Sequence, residues 1–160
     1  MRIAIAGAGN VGRAIARELL DNGHQVLLID KDPKALKLES VPDAEWLMAD
    51  ACEITSLDNA HLNNCHVLVA ATGDDKANLV TSLLGKTEYG VPRVVARINH
   101  PKNEWLFDSS WGVDVAVSTP RISLPSLKRQ LALAMSFAYF PLKKVKQTWL
   151  NLHCQMAQTA

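Results

Sequence analysis

Six short apolar runs rich in β-branched residues alternate with longer segments of helical period, and this alternation limits the fold more than any other feature. The runs are "RIAIA" at 2–6, "QVLLID" at 25–30, "EWLMA" at 45–49, "HVLVAAT" at 66–72, "RVVARIN" at 93–99 and "VDVAVS" at 113–118. Runs this short and this apolar read as buried strands. Between them, residues 11–22, 33–38, 53–60, 75–89 and 102–109 read as helices, with "DNG" at 21–23, "KDP" at 31–33 and "YGVP" at 89–92 as punctuation. Strands that alternate with helices pair in parallel through right-handed crossovers. The expected class is α/β: a doubly wound, parallel, six-stranded sheet with helices on both faces.

The join between the first strand and the first helix carries "GAGNVG", with glycines at 7, 9 and 12. Each missing side chain has its own candidate cause: a tight strand-to-helix turn at Gly7, room for a pyrophosphate at Gly9, and close packing of helix on strand at Gly12. The amides and dipole of the following helix would meet an anion there. Asp30 ends the second strand 18 residues after Gly12, where a carboxylate accepts hydrogen bonds from the ribose hydroxyls of an adenosine. An acid at that place repels a 2′-phosphate and disfavours NADP, although the neighbouring Lys31 softens the discrimination. NAD(H), ATP and ADP share the adenosine end, and these residues leave all three open.

Other strand ends point to the same rim, because ligands of open α/β sheets bind at the carboxyl ends of the strands. "MADACE" at 48–53 follows the third strand and "AATGDDKANL" at 70–79 the fourth. Thr72 and Gly73 are placed to approach phosphate or adenosine, while Asp74 and Asp75 read as caps of helix 75–89. Arg97 lies within the fifth strand, where a charge is rarely buried without a partner, and reads as reaching a phosphate or carboxylate at the rim.

Composition excludes several classes. A net charge of +1 gives no argument for nucleic acid or membrane binding. Three cysteines without a CxxC pair argue against a disulfide framework and for a reducing compartment. No apolar run of about 18 residues and no signal peptide is present, so the expected location is the cytoplasm. Charge is nonetheless uneven: all 16 acids lie at or before Asp114, and the six bases after it (Arg121, Lys128, Arg129, Lys143, Lys144, Lys146) face no acid.

The segments "IAGAGNVGRAIARELLDNGHQVLLIDKD", "ADACE", "AATGDDKANLVTSLLGKTEYGVPRVVARINHPKNEWLF" and "WGVDVAVSTPR" together resemble the TrkA-type, or regulator of potassium conductance (RCK), nucleotide-binding domain, particularly its actinobacterial forms. The likeness spans residues 1–121. It implies a Rossmann domain that binds NAD(H) or ATP/ADP, forms homodimers or larger rings, and passes nucleotide-dependent shape changes to a membrane potassium channel or transporter without catalysing a reaction. The resemblance carries the glycine loop onto Gly7, Gly9, Asn10, Val11 and Gly12, and the ribose acid and its neighbour onto Asp30 and Lys31. It carries the adenine-side element onto Asp50 and Ala51, with Ala49 where the family has glycine. The fourth-strand loop falls on Thr72 and Gly73, and a distal basic residue on Arg97. Asn10 stands where some ATP-binding members have arginine, and NAD(H) ranks slightly ahead of ATP/ADP. The homodimer seam is expected on helix 102–109, which carries Trp105, Leu106 and Phe107, and at the start of the tail.

The likeness stops after Arg121. Residues 122–160 form a basic tail, read either as a shifted frame of a family-like sequence or as a genuine amphipathic helix that meets a partner or a membrane surface. Tyr139 and Lys143 copy the spacing of a dehydrogenase catalytic pair, but Pro141 between them breaks the helix that must align them. Cys52, His61, Cys65 and His66 lack paired metal-ligand spacing and read as buried thiols and surface imidazoles. Trp46, Trp105 and Trp111 read as core or dimer-seam residues. A small NAD-dependent oxidoreductase is the alternative; it would need a placed acid or base and a substrate domain, for which some 40 residues are too few.

Overall fold

The computed structural model describes residues 1–118. Its elements run β1 (Arg2–Ala6), α1 (Asn10–Asp21), β2 (Gln25–Asp30), β3 (Glu45–Met48), α2 (Ile54–Asn59), β4 (Val67–Ala70), α3 (Asp75–Thr87), β5 (Arg93–Ile98) and β6 (Val115–Ser118). All five strand pairs are parallel, in the order β3-β2-β1-β4-β5-β6. The order reverses between β1 and its neighbours β2 and β4. That reversal opens a crevice at their carboxyl ends.

Side-chain alternation along β1 divides the core. Ile3 and Ile5 point to one face, where they pack with Ile15 and Leu19 of α1 and with Leu28 and Val69. Ala4 and Ala6 point to the other, with Leu57 of α2, Leu62 and Leu68. A third cluster gathers Leu79 of α3 with Ala70, Ala96, Ile98 and Phe107. Helices therefore cover both faces, as the strand runs require.

Two expected helices are absent. Residues 33–38 form two 3₁₀ turns, Pro33–Ala35 and Leu38–Ser40, and residues 102–109 form Pro101–Leu106 and Ser109–Trp111. At 107–110 the chain turns inward: Phe107 enters the core, and Asp108 accepts from the Ser110 amide at 2.9 Å, closing a local turn. The three seam residues consequently part company: Phe107 is buried, Leu106 half-buried and Trp105 75% exposed. Trp46 and Trp111 are half-buried against the core, and Trp46 Nε1 donates to the Val41 carbonyl at 3.2 Å. The basic tail, Tyr139 and Lys143 lie outside the described residues.

Candidate nucleotide-binding site

The three glycines have separate structural causes. Gly7 has φ +104°, open to glycine but strained for other residues, and a Cβ there would come within 2.8 Å of the Ala71 carbonyl and the Thr72 amide. A Cβ on Gly12 would stand 1.8 Å from the Gly7 carbonyl oxygen, so α1 sits on β1 only because that atom is missing. At Gly9 a Cβ would meet no protein atom within 4 Å. Its emptiness faces a cleft of about 620 Å³. Gly9 also precedes α1 as a cap without a side chain, so no side-chain acceptor occupies the first-turn amides.

Ten of the twelve residues singled out from the sequence line this cleft: Gly7, Gly9, Asn10, Val11, Asp30, Lys31, Ala51, Thr72, Gly73 and Arg97. Gly12 lies beneath it as a packing residue. Asp50 stands at the rim, where its Oδ2 pairs with Lys31 Nζ at 3.1 Å. A hydrogen bond from the Cys52 amide, together with the Lys31 pair, holds the Asp50 carboxyl below its ordinary value; Lys31 is raised in return by Asp50.

Asp30 is already engaged. Its Oδ2 accepts from the Ala8 amide at 2.7 Å and its Oδ1 from the Asp32 amide at 2.9 Å, so the carboxylate ties the glycine loop to the end of β2. Each oxygen retains a second acceptor site. One residue thus shapes the loop and offers two acceptors to a diol.

Three residues outside the sequence expectation organise the rim. Asn78 on α3 is fully buried; its Oδ1 accepts from the Thr72 amide and hydroxyl at 2.9 and 2.6 Å, and its Nδ2 donates to the Arg97 carbonyl at 2.9 Å. Asp75 is no cap, contrary to the sequence expectation: Asp74 alone caps α3, by accepting from the Lys76 amide. Asp75 is buried and accepts from the Asn99 and His100 amides at 2.6 and 3.0 Å and from Asn103 Nδ2 at 2.7 Å. Burial alone would raise its pKa, yet these donors outweigh it and hold the carboxyl below its ordinary value. Arg97, half-buried, is lowered by burial, opposed by the charge of Asp75. Arg13, the third residue, is buried under the glycine loop.

A domain model for the TrkA-N domain matches residues 3–119. The chain belongs to the TrkA-N family. It is 58% identical over 122 residues to the Trk system potassium uptake protein TrkA of Mycobacterium tuberculosis, covering 76% of this chain and 56% of the relative. The chain thus spans a little over half the length of that TrkA. Among solved structures, the AMP-bound Kef C-terminal domain of Shewanella denitrificans superimposes with a TM-score of 0.65 at 18% identity, covering 93% of this chain and all of that one. The GsuK channel bound to NAD superimposes with a TM-score of 0.64 at 18% identity, over 72% of this chain and 21% of the channel. At these identities the two structures share the TrkA-N fold with this chain.

Among the described residues no helix is long and apolar enough to cross a membrane. Among them, too, no group of three histidines, cysteines or acids is placed to hold a metal. Cys65 is buried, with burial pushing its thiol up, while His61 and His66 are exposed. Cys52 lies apart from them against α3, its Sγ 4.0 Å from the Thr81 hydroxyl.

Proposed function

We propose that this chain is the nucleotide-binding part of a regulatory subunit of a potassium uptake system, peripheral to the membrane through a channel or transporter partner. One observation carries the reading: the open cleft over Gly9 lies between the uncapped start of α1 and the Asp30 carboxylate, which suits an adenosine diphosphate unit. NAD(H) ranks slightly ahead of ATP/ADP, since Asn10 offers a neutral amide where a third phosphate would call for a cation. The ribose falls to Asp30 with its neighbour Lys31, the adenine side to Asp50 and Ala51, the phosphate side of the fourth-strand loop to Thr72 and Gly73, and the distal end to Arg97. Names among relatives support the partner: the Mycobacterium protein is a Trk system potassium uptake protein, and the GsuK channel is bound to NAD.

Regulation fits the cleft better than hydride-transfer chemistry. Among the described lining residues there is no histidine, tyrosine or cysteine, and the ionisable ones are Asp30, Lys31, Asp32, Asp74 and Arg97. Asp30, Asp32 and Asp74 accept backbone amides and Lys31 pairs with Asp50, so these candidate acids and bases are already engaged in holding the rim. A nucleotide acts instead by favouring one arrangement of neighbouring copies over another, which requires a homodimer or larger ring. Residues 1–121 form the binding unit and the basic segment after it a separate one.

The test is rubidium uptake by cells that express the chain, wild type or Gly9→Ser. The variant is expected to lose nucleotide-dependent control of the flux. Equal flux and equal nucleotide response in both would contradict the regulatory reading.

A further inference from the structure

Arg13 is 8% exposed and lies directly under the glycine loop. Its guanidinium donates from Nη1 to the carbonyls of Ala8 and Ala35, the latter at 3.3 Å, and from Nη2 to Asn10 Oδ1 at 2.8 Å. All three acceptors are neutral oxygens, and none of the ion pairs among the described residues includes Arg13. Burying a cation on dipoles alone is costly. The arrangement gains something specific in return: the direction of two donors.

The first follows from the planarity of the peptide. No peptide bond in the described chain is cis, so the carbonyl of Ala8 and the amide of Gly9 point in opposite directions. With the Ala8 carbonyl turned inward onto the guanidinium, the Gly9 N–H points outward, and Gly9 lines the cleft. The preceding peptide is fixed separately, since the Ala8 amide donates to Asp30. The second donor follows from the amide of Asn10. Its oxygen is held by Arg13, which leaves the amino group on the opposite corner, and Asn10 also lines the cleft.

We propose that Arg13 is a positioning residue for phosphate recognition. By holding the Ala8 carbonyl and the Asn10 oxygen, it turns the Gly9 amide and the Asn10 amino group toward an anion in the cleft. The inference rests on the nucleotide reading above and deepens it. Recognition of this kind requires a fork: the guanidinium reaches the Ala8 carbonyl and the Asn10 oxygen from two nitrogens fixed in one plane, whereas a lysine ammonium radiates its three N–H donors from a single nitrogen and does not reproduce that spacing. The bond to Ala35 also joins the glycine loop to the segment after β2, so one side chain braces both walls beneath the ligand.

The experiment is an amide NMR titration of the wild-type chain, Arg13→Lys and Asn10→Asp with adenosine and with ADP; the spectrum of each variant also reports its folding. Asn10→Asp keeps an oxygen for Arg13 but sets a carboxylate oxygen where the amino group stood. Both variants are expected to lose about tenfold or more in ADP affinity, the scale of one hydrogen bond to a charged group. Adenosine affinity is expected to stay within about twofold of wild type, because the diol and adenine contacts involve neither donor. Wild-type ADP affinity in Arg13→Lys, or an equal loss for adenosine and ADP, would overturn the proposal. If Arg13→Lys loses its dispersed spectrum, Asn10→Asp carries the test: an ADP-specific loss supports the proposal, and unchanged ADP affinity overturns it. A wild-type chain that binds neither ligand overturns the nucleotide reading itself, and the proposal with it.

Discussion

Replacing Gly12 with alanine sets a methyl group 1.8 Å from the Gly7 carbonyl oxygen. Restoring ordinary contact near 3.4 Å requires a separation of about 1.6 Å between loop and helix. The loop is poorly placed to yield, because the Gly7 amide is bonded to the Ile29 carbonyl at 2.8 Å and the Ala8 amide to Asp30 at 2.7 Å. If α1 yields instead, Ile15 and Leu19 lift from Ile3 and Ile5. Overpacking of this kind costs about 2–4 kcal/mol, and more where backbone bonds break. At roughly 3–4 °C per kcal/mol for a domain of this size, the melting temperature should fall by about 6–16 °C. Gly9→Ser is the matched control. A Cβ there meets nothing, the backbone φ of −67° suits any residue, and serine is a favoured helix cap. Its stability should be unchanged or higher by a few tenths of a kcal/mol, while its hydroxyl occupies the amides that phosphate would need. Thermal melts by circular dichroism with parallel ADP titrations separate the two variants. A Gly12→Ala melt within a degree or two of wild type, or a Gly9→Ser protein that melts early, would refute the assignment of one glycine to packing and the other to ligand.

The remaining predictions concern charge, chemistry and assembly. Asp30→Ala should weaken adenosine-ribose binding by about 1.5–3 kcal/mol, the scale of hydrogen bonds to a charged group, and also lower the melting temperature by releasing the Ala8 and Asp32 amides; unchanged affinity by calorimetry would remove it from the site. Asp75 has a depressed pKa, so its contribution is complete above its unfolded value of about 3.9 and lost as pH falls through the lower folded one. Urea melts should therefore show a gap between wild type and Asp75→Asn that is constant from pH 7 to about 5 and shrinks below about 4, and a gap independent of pH would contradict this. With NADH and a panel of small carbonyl compounds, absorbance at the nicotinamide band should stay flat, whereas oxidation abolished by Gly9→Glu would establish an enzyme. Light scattering at tens of micromolar should show a dimer, with Trp105 fluorescence sensitive to dilution, and a monomer with and without nucleotide would exclude the assembly reading.

What the sequence displayed well was whatever depends on local pattern. Apolar runs located all six strands: the central β1, β2, β4 and β5 are almost wholly buried and hold polar residues mainly at their ends, while the edge strands β3 and β6 keep enough apolar residues to be recognised. Glycine spacing located the loop because steric absence is written in the residue itself. The failures share another cause. Asp75 has the sequence position of a cap, yet its partners Asn99, His100 and Asn103 are more than twenty residues away, beyond any local rule. Asn78 joins Thr72 to Arg97 through a contact that exists only once α3 lies on β4 and β5. Arg13 left one faint sign, a cation next to Gly12 on the face that packs toward the sheet. At 33–38 and 102–109 helical periodicity was genuine, but proline starts and the inward turn of Phe107 left pairs of short 3₁₀ segments in place of an α-helix.

The most direct test of the account is calorimetric titration of the chain with NADH, NAD, ATP and ADP, each repeated on Gly9→Ser. The account predicts saturable binding of at least one of them by the wild-type protein at close to one nucleotide per chain, with NADH or NAD ahead of ATP, and loss of that binding in the variant. Absence of binding for all four at millimolar concentration, or the same affinity in Gly9→Ser, would contradict it.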